Sequence, residues 1–351
     1  MAIRYAVLHM LVDGLCALAM FGTFLLQKNG YFYIFIYNFC AFALQMPFGV
    51  ILDLLCAKYQ TGKTDWPFLT VLAGVVCTVI GAVTHPAVLG IGNALFHVGG
   101  GVGTIREDRE KNYRGRGLGI FVAPGALGLY LGTLAAEGRG KTVLFAFISF
   151  LMLFLCFGIL YKRRCRIEFC RPASGAQSAE AKKSFRGCIC LSVCCLAVVM
   201  LRSYIGMAAA FPWKTGIAAG MAAVLAVVGG KAAGGFFAAG YGCKKTVVVS
   251  LLAAAVCYLF LEIPAAGILA LFLFNMTMPV TLYLMICRLW QMPGFAFGFL
   301  TFALFLGFLP GYFHWQPAVS SNMLGCMGSI ISLAVLAAGI YAGGRDGSIS
   351  Y

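Results

Sequence analysis

Apolar residues along this chain come in unbroken blocks rather than in alternation, and short polar breaks separate the blocks. About twelve blocks run for roughly 17–25 residues, the length a helix needs to cross a hydrocarbon core of about 30 Å. They predict spans near 6–26, 32–56, 66–84, 87–105, 117–136, 142–161, 187–210, 216–240, 246–262, 264–286, 292–312 and 322–343. Transmembrane β-strands would instead alternate apolar and polar residues over about ten positions, a pattern that is absent here. Thr84-His85-Pro86 and Glu262-Ile263-Pro264 read as the turns of tight helical hairpins. The first block, from Ala6, is too long for a signal peptide and contains His9 and Asp13, so it reads as an uncleaved first helix. The fold class expected is all-α and integral to the membrane, with about twelve transmembrane helices.

Composition agrees. Of 351 residues, 62% are hydrophobic and 11% charged, too few charges to cover a water-exposed surface of that size. Cations sort by side when the spans are counted from a cytoplasmic N-terminus. One side collects Arg4, Lys58, Lys63, Arg106, Arg109, Lys111, Arg114, Arg116, the 162–186 cluster, Lys244, Lys245, Arg288 and Arg345. The other side holds Lys28, Arg139, Lys141 and Lys214. Both termini are therefore expected in the cytoplasm and the protein in the cell membrane. The net charge of +15 is then the ordinary result of membrane insertion, with attraction to anionic lipid, and calls for no nucleic-acid partner. Most of the 15 cysteines fall within spans or on the reducing side, where sulfur acts as a small apolar group. Cys165, Cys170, Cys188 and Cys190 match no common zinc spacing, and no metal or other cofactor is expected.

The longest polar segment, 162–186, separates an N-terminal bundle of six spans (1–161) from a C-terminal bundle and short tail (187–351). A repeat links the two halves. Gln45-Met-Pro-Phe-Gly49-Val-Ile-Leu-Asp53 followed by Lys58 lines up with Lys231-Ala-Ala-Gly-Gly235-Phe-Phe-Ala-Ala239 followed by Gly242, Lys244 and Lys245. On these residues the chain resembles the major facilitator superfamily of secondary transporters, whose signature after span two is matched by Gly49, Asp53 and Lys58. That resemblance implies two pseudo-symmetric six-helix bundles, monomeric action and a gating motif at these positions. Leu54 and Ala239 depart from the pattern, where a basic and an acidic residue usually stand. His9-Met-Leu-Val-Asp13 and Gly92-Asn93-Ala94-Leu95-Phe96-His97 are further similar to the fosmidomycin-resistance-type branch, which implies proton-coupled export.

Ionisable groups within hydrocarbon cost several kcal/mol unless paired or hydrated, so each one is a candidate for function. His9 and Asp13, spaced i, i+4, share a helix face, with Asp13 roughly 12 Å above the inner boundary. Lys231 and Gln45 fall at a similar depth. A carboxylate that exchanges a proton while a cation competes for it is a basis for proton coupling, for which Asp13, His9 and Lys231 are the candidates. A permanent Asp13–Lys231 ion pair joining the halves fits the same pattern. Nearer the midplane, His97, Asn93, Arg202, Asn275 and Thr277 are candidates for the solute cavity, because spans one, four, seven and ten line it in the superfamily resembled. Arg202 suits a carboxylate, phosphate or phosphonate, and so an anionic solute. Against this, His97 also fits a hydrogen-bonded structural role, and Arg202 a carbonyl or water-filled vestibule. Gly99-Gly100-Gly101-Val102-Gly103 lacks the preceding strand of a phosphate loop and reads as close helix packing, while Pro47 and Pro279 predict kinks.

The function expected is secondary active transport of a small organic solute by alternating access, coupled to protons. No Gly-x-x-x-x-Gly-Lys-[Ser/Thr] motif supports a primary pump. A sensor or assembly scaffold on the same fold is the alternative. A lipid-modifying enzyme is a remote one, because Asp13-Gly14 lacks the Arg, and Asp53 the second Asp, that a paired-carboxylate metal site requires.

Overall fold

The computed structural model describes residues 2–59, 64–138, 140–164, 185–315 and 317–344, and among them the chain is helical and forms no strand. The long helices are α1 (Ala2–Phe24), α2 (Gly30–Lys58), α3 (Trp66–Thr84), α4 (Pro86–Glu110), α5 (Arg116–Ala136) and α6 (Lys141–Arg164). After the gap come α7 (Phe185–Ala208), α8 (Gly216–Tyr241), α9 (Cys243–Tyr258), α10 (Pro264–Arg288), α11 (Pro293–Tyr312) and α12 (Ser321–Gly344).

Eleven of these are long and apolar enough to cross a membrane; the exception is α9, where the sequence predicts a full span over 246–262. Its 16 residues reach about 24 Å at 1.5 Å each, short of the hydrocarbon thickness. The rest of the predicted span is spent in turns, with the Leu259 and Phe260 amides bonded to the Val256 and Cys257 carbonyls. α9 still connects the basic end of α8 to the start of α10, packing on α8, α10 and α12. The short gaps fold as expected: His85 caps α4 by accepting the Ala87 amide at 3.1 Å, and Pro264 opens α10.

Three spans are interrupted, each near a proline. Proline lacks an amide hydrogen and its ring crowds the carbonyl four residues earlier. Pro47 follows a π-turn over Phe39–Ala43, and Pro279 follows a break at Met276. The third interruption, at Ala123-Pro124 within α5, has no counterpart in the sequence-based expectations.

Within the first half α1 packs on α4, α5 and α6, and α3 on α4; within the second α7 packs on α11 and α12, and α8 on α10. The halves meet chiefly along α2 with α11 and α5 with α8, with further contact of α4 on α11 and α5 on α10. The glycine-rich run of α4 serves packing, since a Cβ at Gly99, Gly101 or Gly103 would press on the Pro67 carbonyl, the Phe297 ring or the Tyr5 ring. Most of the 162–186 linker, with Cys165 and Cys170, lies outside the described residues.

Candidate functional site

α1 and α5 approach closely through Gly14, Gly128 and Gly132, and this brings the intramembrane face of α1 against α4 and α5. There His9, Asp13 and His97 converge, with one ligand atom from each lying within 4.8 Å of the others. His9 Nε2 is 3.1 Å from Asp13 Oδ2 and 2.8 Å from His97 Nε2, while His97 Nε2 is 3.7 Å from Asp13 Oδ1. The i, i+4 spacing of His9 and Asp13 has the effect the helix period requires. Asn93 donates from Nδ2 to Asp13 Oδ1 at 3.0 Å, and its own backbone carbonyl lies 2.8 Å from His97 Nδ1. The Phe121 carbonyl, just before the break in α5, lies 2.7 Å from His9 Nδ1.

Phe96 and Phe121 wall the cluster, with ring centroids 6.2 and 5.1 Å from that of His9. Asp13 is the most accessible of the three, at 20% side-chain exposure against 7% for His9 and 11% for His97. Gly125 is required beside it, because a Cβ there would collide with both His9 Nε2 and Asp13 Oδ2. Cys16 adds a thiol 3.6 Å from Asn93 Nδ2, with Tyr37 of α2 behind it. His97 and Asn93, expected in the solute cavity, thus belong with the proton-exchange candidates His9 and Asp13.

Lys231 faces this cluster from α8, within electrostatic reach of Asp13 and Arg202. Among the described residues it forms no ion pair within 4.0 Å, so the permanent Asp13–Lys231 pair is replaced by a carboxylate held by two imidazoles and an amide. Arg202 of α7 is buried, and the structure brings it to Thr277 of α10, 3.5 Å from Nη1 to Oγ1. Thr277 Oγ1 already donates to the Phe274 carbonyl at 2.7 Å, so it offers the guanidinium only a lone pair. No carboxylate lies within 4.0 Å of Arg202 among the described residues. Beside it is a void of about 30 Å³ lined by Arg202, Val199, Thr281 and Phe297, among others. That is room for a water or two and not for an organic solute. Asn275 and Gln45 are not drawn in: each bonds back to its own helix, at the Leu271 and Ala41 carbonyls.

The residues matched to the gating motif lie at the face that carries most of the basic residues. Gly49 lets α2 touch α11 at Gly294, and Asp53 there accepts hydrogen bonds from the amides of Gly294 at 2.9 Å and Phe295 at 2.8 Å. A carboxylate on the exposed amides of a helix N-terminus is favoured by charge and geometry together. Lys58 extends over the Tyr59 ring, 5.4 Å from its centroid. In the second half Gly235 packs on Gly115 and Gly119, Gly242 takes φ +88° at the turn into α9, and Lys244 and Lys245 are exposed. Ala239 leaves no second carboxylate latch at this face, where α5 and α8 meet through the backbones of Gly115, Gly119 and Gly235. At the opposite face the Tyr31 and Tyr312 rings stack 4.3 Å apart, the Tyr31 hydroxyl donates to the Tyr312 carbonyl, and the Tyr130 hydroxyl to the Ile217 carbonyl at 2.9 Å.

Asp53→Ala removes two charge-assisted bonds between the halves, each worth about 1.5–3 kcal/mol. The expected outcome is a lower melting temperature in detergent, with faster thiol labelling of the neighbouring Cys56. Unchanged labelling and melting would show that Asp53 latches nothing.

Two carboxylates escaped the sequence reading. Asp108 accepts the Gly117 and Leu118 amides at 2.9 and 3.3 Å and so caps α5, and Glu107 takes the Ala2 amide at 2.7 Å and Lys111 at 2.6 Å. Their signal in the sequence is three acids, Glu107, Asp108 and Glu110, within an otherwise basic stretch. Near them opens a vestibule of about 840 Å³ on the basic face, lined by Arg109, Arg114, Arg288, Tyr283 and Trp290 among others.

No family model and no curated protein matches the sequence. Solved structures do match its shape. The E. coli fucose:proton symporter FucP aligns at TM-score 0.60 with 12% identity, over 97% of this chain and 98% of that one. The chain has the major facilitator fold. A second FucP structure, described as an outward conformation, aligns at TM-score 0.56 with 11% identity over 97% and 99% of the two chains. The human organic anion transporter MFSD10 (TETRAN) aligns at 0.62 with 12% identity over 96% and 98%. These neighbours are transporters rather than enzymes, and the chain is a multi-pass membrane protein of their architecture.

Proposed function

We propose that this protein is a secondary transporter that moves a small organic anion through the cell membrane by alternating access, coupled to protons. One juxtaposition carries the reading. A proton-exchanging cluster on α1 and α4 faces, across the seam between the halves, Lys231 on α8, which lies within reach of Asp13 on one side and of Arg202 on α7 on the other. Burying a charge without a partner costs several kcal/mol, so a ligand that brings negative charge to Arg202 and Lys231 is favoured there. A proton at the cluster removes the negative charge that competes for Lys231. Proton and anion thus bind cooperatively, which is the thermodynamic requirement of their movement together in one direction, as a symport. That one structural neighbour is named a proton symporter and another an organic anion transporter is in keeping with this reading.

The vestibule on the basic face gathers anions electrostatically at the entrance. By the charge rule for insertion that face is cytoplasmic, with both termini. The branch resemblance of His9–Asp13 and Asn93–His97 favours export, whereas cooperative binding leaves the direction to the combined solute and proton gradients; the protein acts as a monomer. In this conformation both seams are closed and the space beside Arg202 is collapsed, so solute entry requires the halves to rock apart.

The test is reconstitution. Purified protein in proteoliposomes with an imposed pH gradient should move a radiolabelled organic anion from a panel of carboxylates, phosphate monoesters and phosphonates, while cations and neutral amphiphiles stay put. Movement indifferent to the gradient, or absent for the whole panel, would sink the proposal and favour a sensor or scaffold.

A further inference from the structure

We infer that His9 and His97 hold one proton between their Nε2 atoms, with Asp13 as its counter-ion, so that the imidazole pair and not the carboxylate is the proton-binding group of the site. The inference deepens the proton-coupled reading above and rests on it for its transport meaning.

The argument is a count of hydrogens. Three short contacts involve the two rings: His9 Nδ1 to the Phe121 carbonyl at 2.7 Å, His97 Nδ1 to the Asn93 carbonyl at 2.8 Å, and Nε2 to Nε2 at 2.8 Å. A carbonyl oxygen only accepts, so each contact needs one N–H from a ring. Two neutral imidazoles own two N–H groups in total. Whatever tautomers are chosen, one contact is left with two lone pairs face to face. Moving a hydrogen to Nε2 merely shifts the conflict to the ring's own Nδ1. A third hydrogen removes it: both Nδ1 atoms donate to carbonyls, and the extra proton lies in an N–H···N bond of ordinary length. The pair then carries one positive charge, and Asp13 at 3.1 and 3.7 Å from the two Nε2 atoms balances it. A proton on Asp13 would not help, because the nitrogen-to-nitrogen contact would still lack its hydrogen.

A divalent metal would also satisfy both lone pairs, and a second partner on each Nδ1 is the arrangement metal-bound histidines adopt. The spacing decides against it. Two nitrogens bound to tetrahedral zinc at ~2.05 Å stand about 3.3 Å apart, wider than the 2.8 Å here.

The remaining charged or titratable groups facing the pair are Lys231 from α8, with Arg202 of α7 beyond it, Cys16 of α1 and Tyr37 of α2. α5 contributes the Phe121 carbonyl and the bare Cα of Gly125. When the proton leaves to water, the cluster passes from neutral to one net negative charge, and one of the three contacts must open. Two of them join α1 to its neighbours, one to α5 and one to α4. Proton loss therefore loosens α1 just as Asp13 becomes free to attract Lys231.

The chain has four histidines, so histidine-selective ¹⁵N labelling of the full protein in nanodiscs gives an assignable spectrum. Solid-state NMR near neutral pH should show a through-bond ¹⁵N–¹⁵N coupling between the Nε2 atoms of His9 and His97, with both Nδ1 sites protonated. His97→Gln should erase it, and Asp13→Asn should restore it only at a pH at least one unit lower. Two neutral uncoupled rings in the wild type would overturn the inference, and that measurement stands even if the variants fail to fold. So would histidine signals that move when a chelator strips the protein or Zn²⁺ is added, since a metal would then occupy the pair. A coupled pair in a protein that transports nothing would refute the transport reading alone, whereas pH-driven transport without the coupled pair would refute this inference alone.

Discussion

Arg202→Ala is expected to abolish anion recognition while leaving the protein folded. In the present conformation the guanidinium has one long hydrogen bond to Thr277 and no carboxylate within 4.0 Å among the described residues, so its removal costs the resting protein little. The loss falls on the liganded state, where a fork of donors meets a carboxylate or phosphonate. Truncating one partner of a buried, hydrogen-bonded charge pair costs about 2–5 kcal/mol, or roughly thirty-fold to several thousand-fold in affinity. Thermal-shift titration with a monocarboxylate, a phosphate monoester and a phosphonate is the direct readout. Wild type should gain melting temperature with at least one of them, Arg202→Lys should keep part of the gain, and Arg202→Ala should show none. A truncated variant stabilised as well as wild type would place the anion elsewhere.

Asp13→Asn is expected to separate exchange from accumulation. The amide keeps the size of the side chain and an oxygen for Asn93, but it withdraws the charge that balances a proton on the adjacent imidazoles. Removing one member of a buried ion pair costs about 3–5 kcal/mol, so proton occupancy near neutral pH should fall by about two orders of magnitude or more. Uptake driven by a pH gradient should disappear, whereas exchange of labelled for unlabelled solute across the same liposomes should persist. Undiminished gradient-driven accumulation would remove Asp13 from the coupling path.

Much of the fold could be read from the chain because lipid imposes a simple rule. Each crossing must satisfy its own backbone and present apolar side chains, so hydrophobic block length and loop charge state the spans almost directly. The predicted ends fall within a few residues of the helices observed. α9 is the exception: its apolar block is long enough, but Glu262-Ile263-Pro264 and the turns before it end the helix at Tyr258. The site was legible only in part. Intramembrane polarity marked His9, Asp13, Asn93, His97, Lys231 and Arg202, because such residues are costly wherever they lie. It did not say which of them touch. Depth alone groups His97 and Asn93 with Arg202, yet they join Asp13, since α1 and α4 pack within one half whereas α7 belongs to the other. Asn275 and Gln45 lie at suitable depths and still turn back to their own helices.

The sequence by itself determined the solvent, the order of the apolar helices, the face on which the basic residues gather, and the short roster of side chains that hydrocarbon does not tolerate alone. Those properties follow from free energies of transfer that add along a chain, one segment at a time. Tertiary structure alone decided that two imidazoles and a carboxylate from α1 and α4 share one pocket, that the Phe121 carbonyl is turned to receive His9 beside the break at Pro124, and that Asp53 reaches the amides of α11. Those are contacts between helices distant in sequence. Their geometry depends on where glycines allow backbones to meet, and no local pattern encodes the partner.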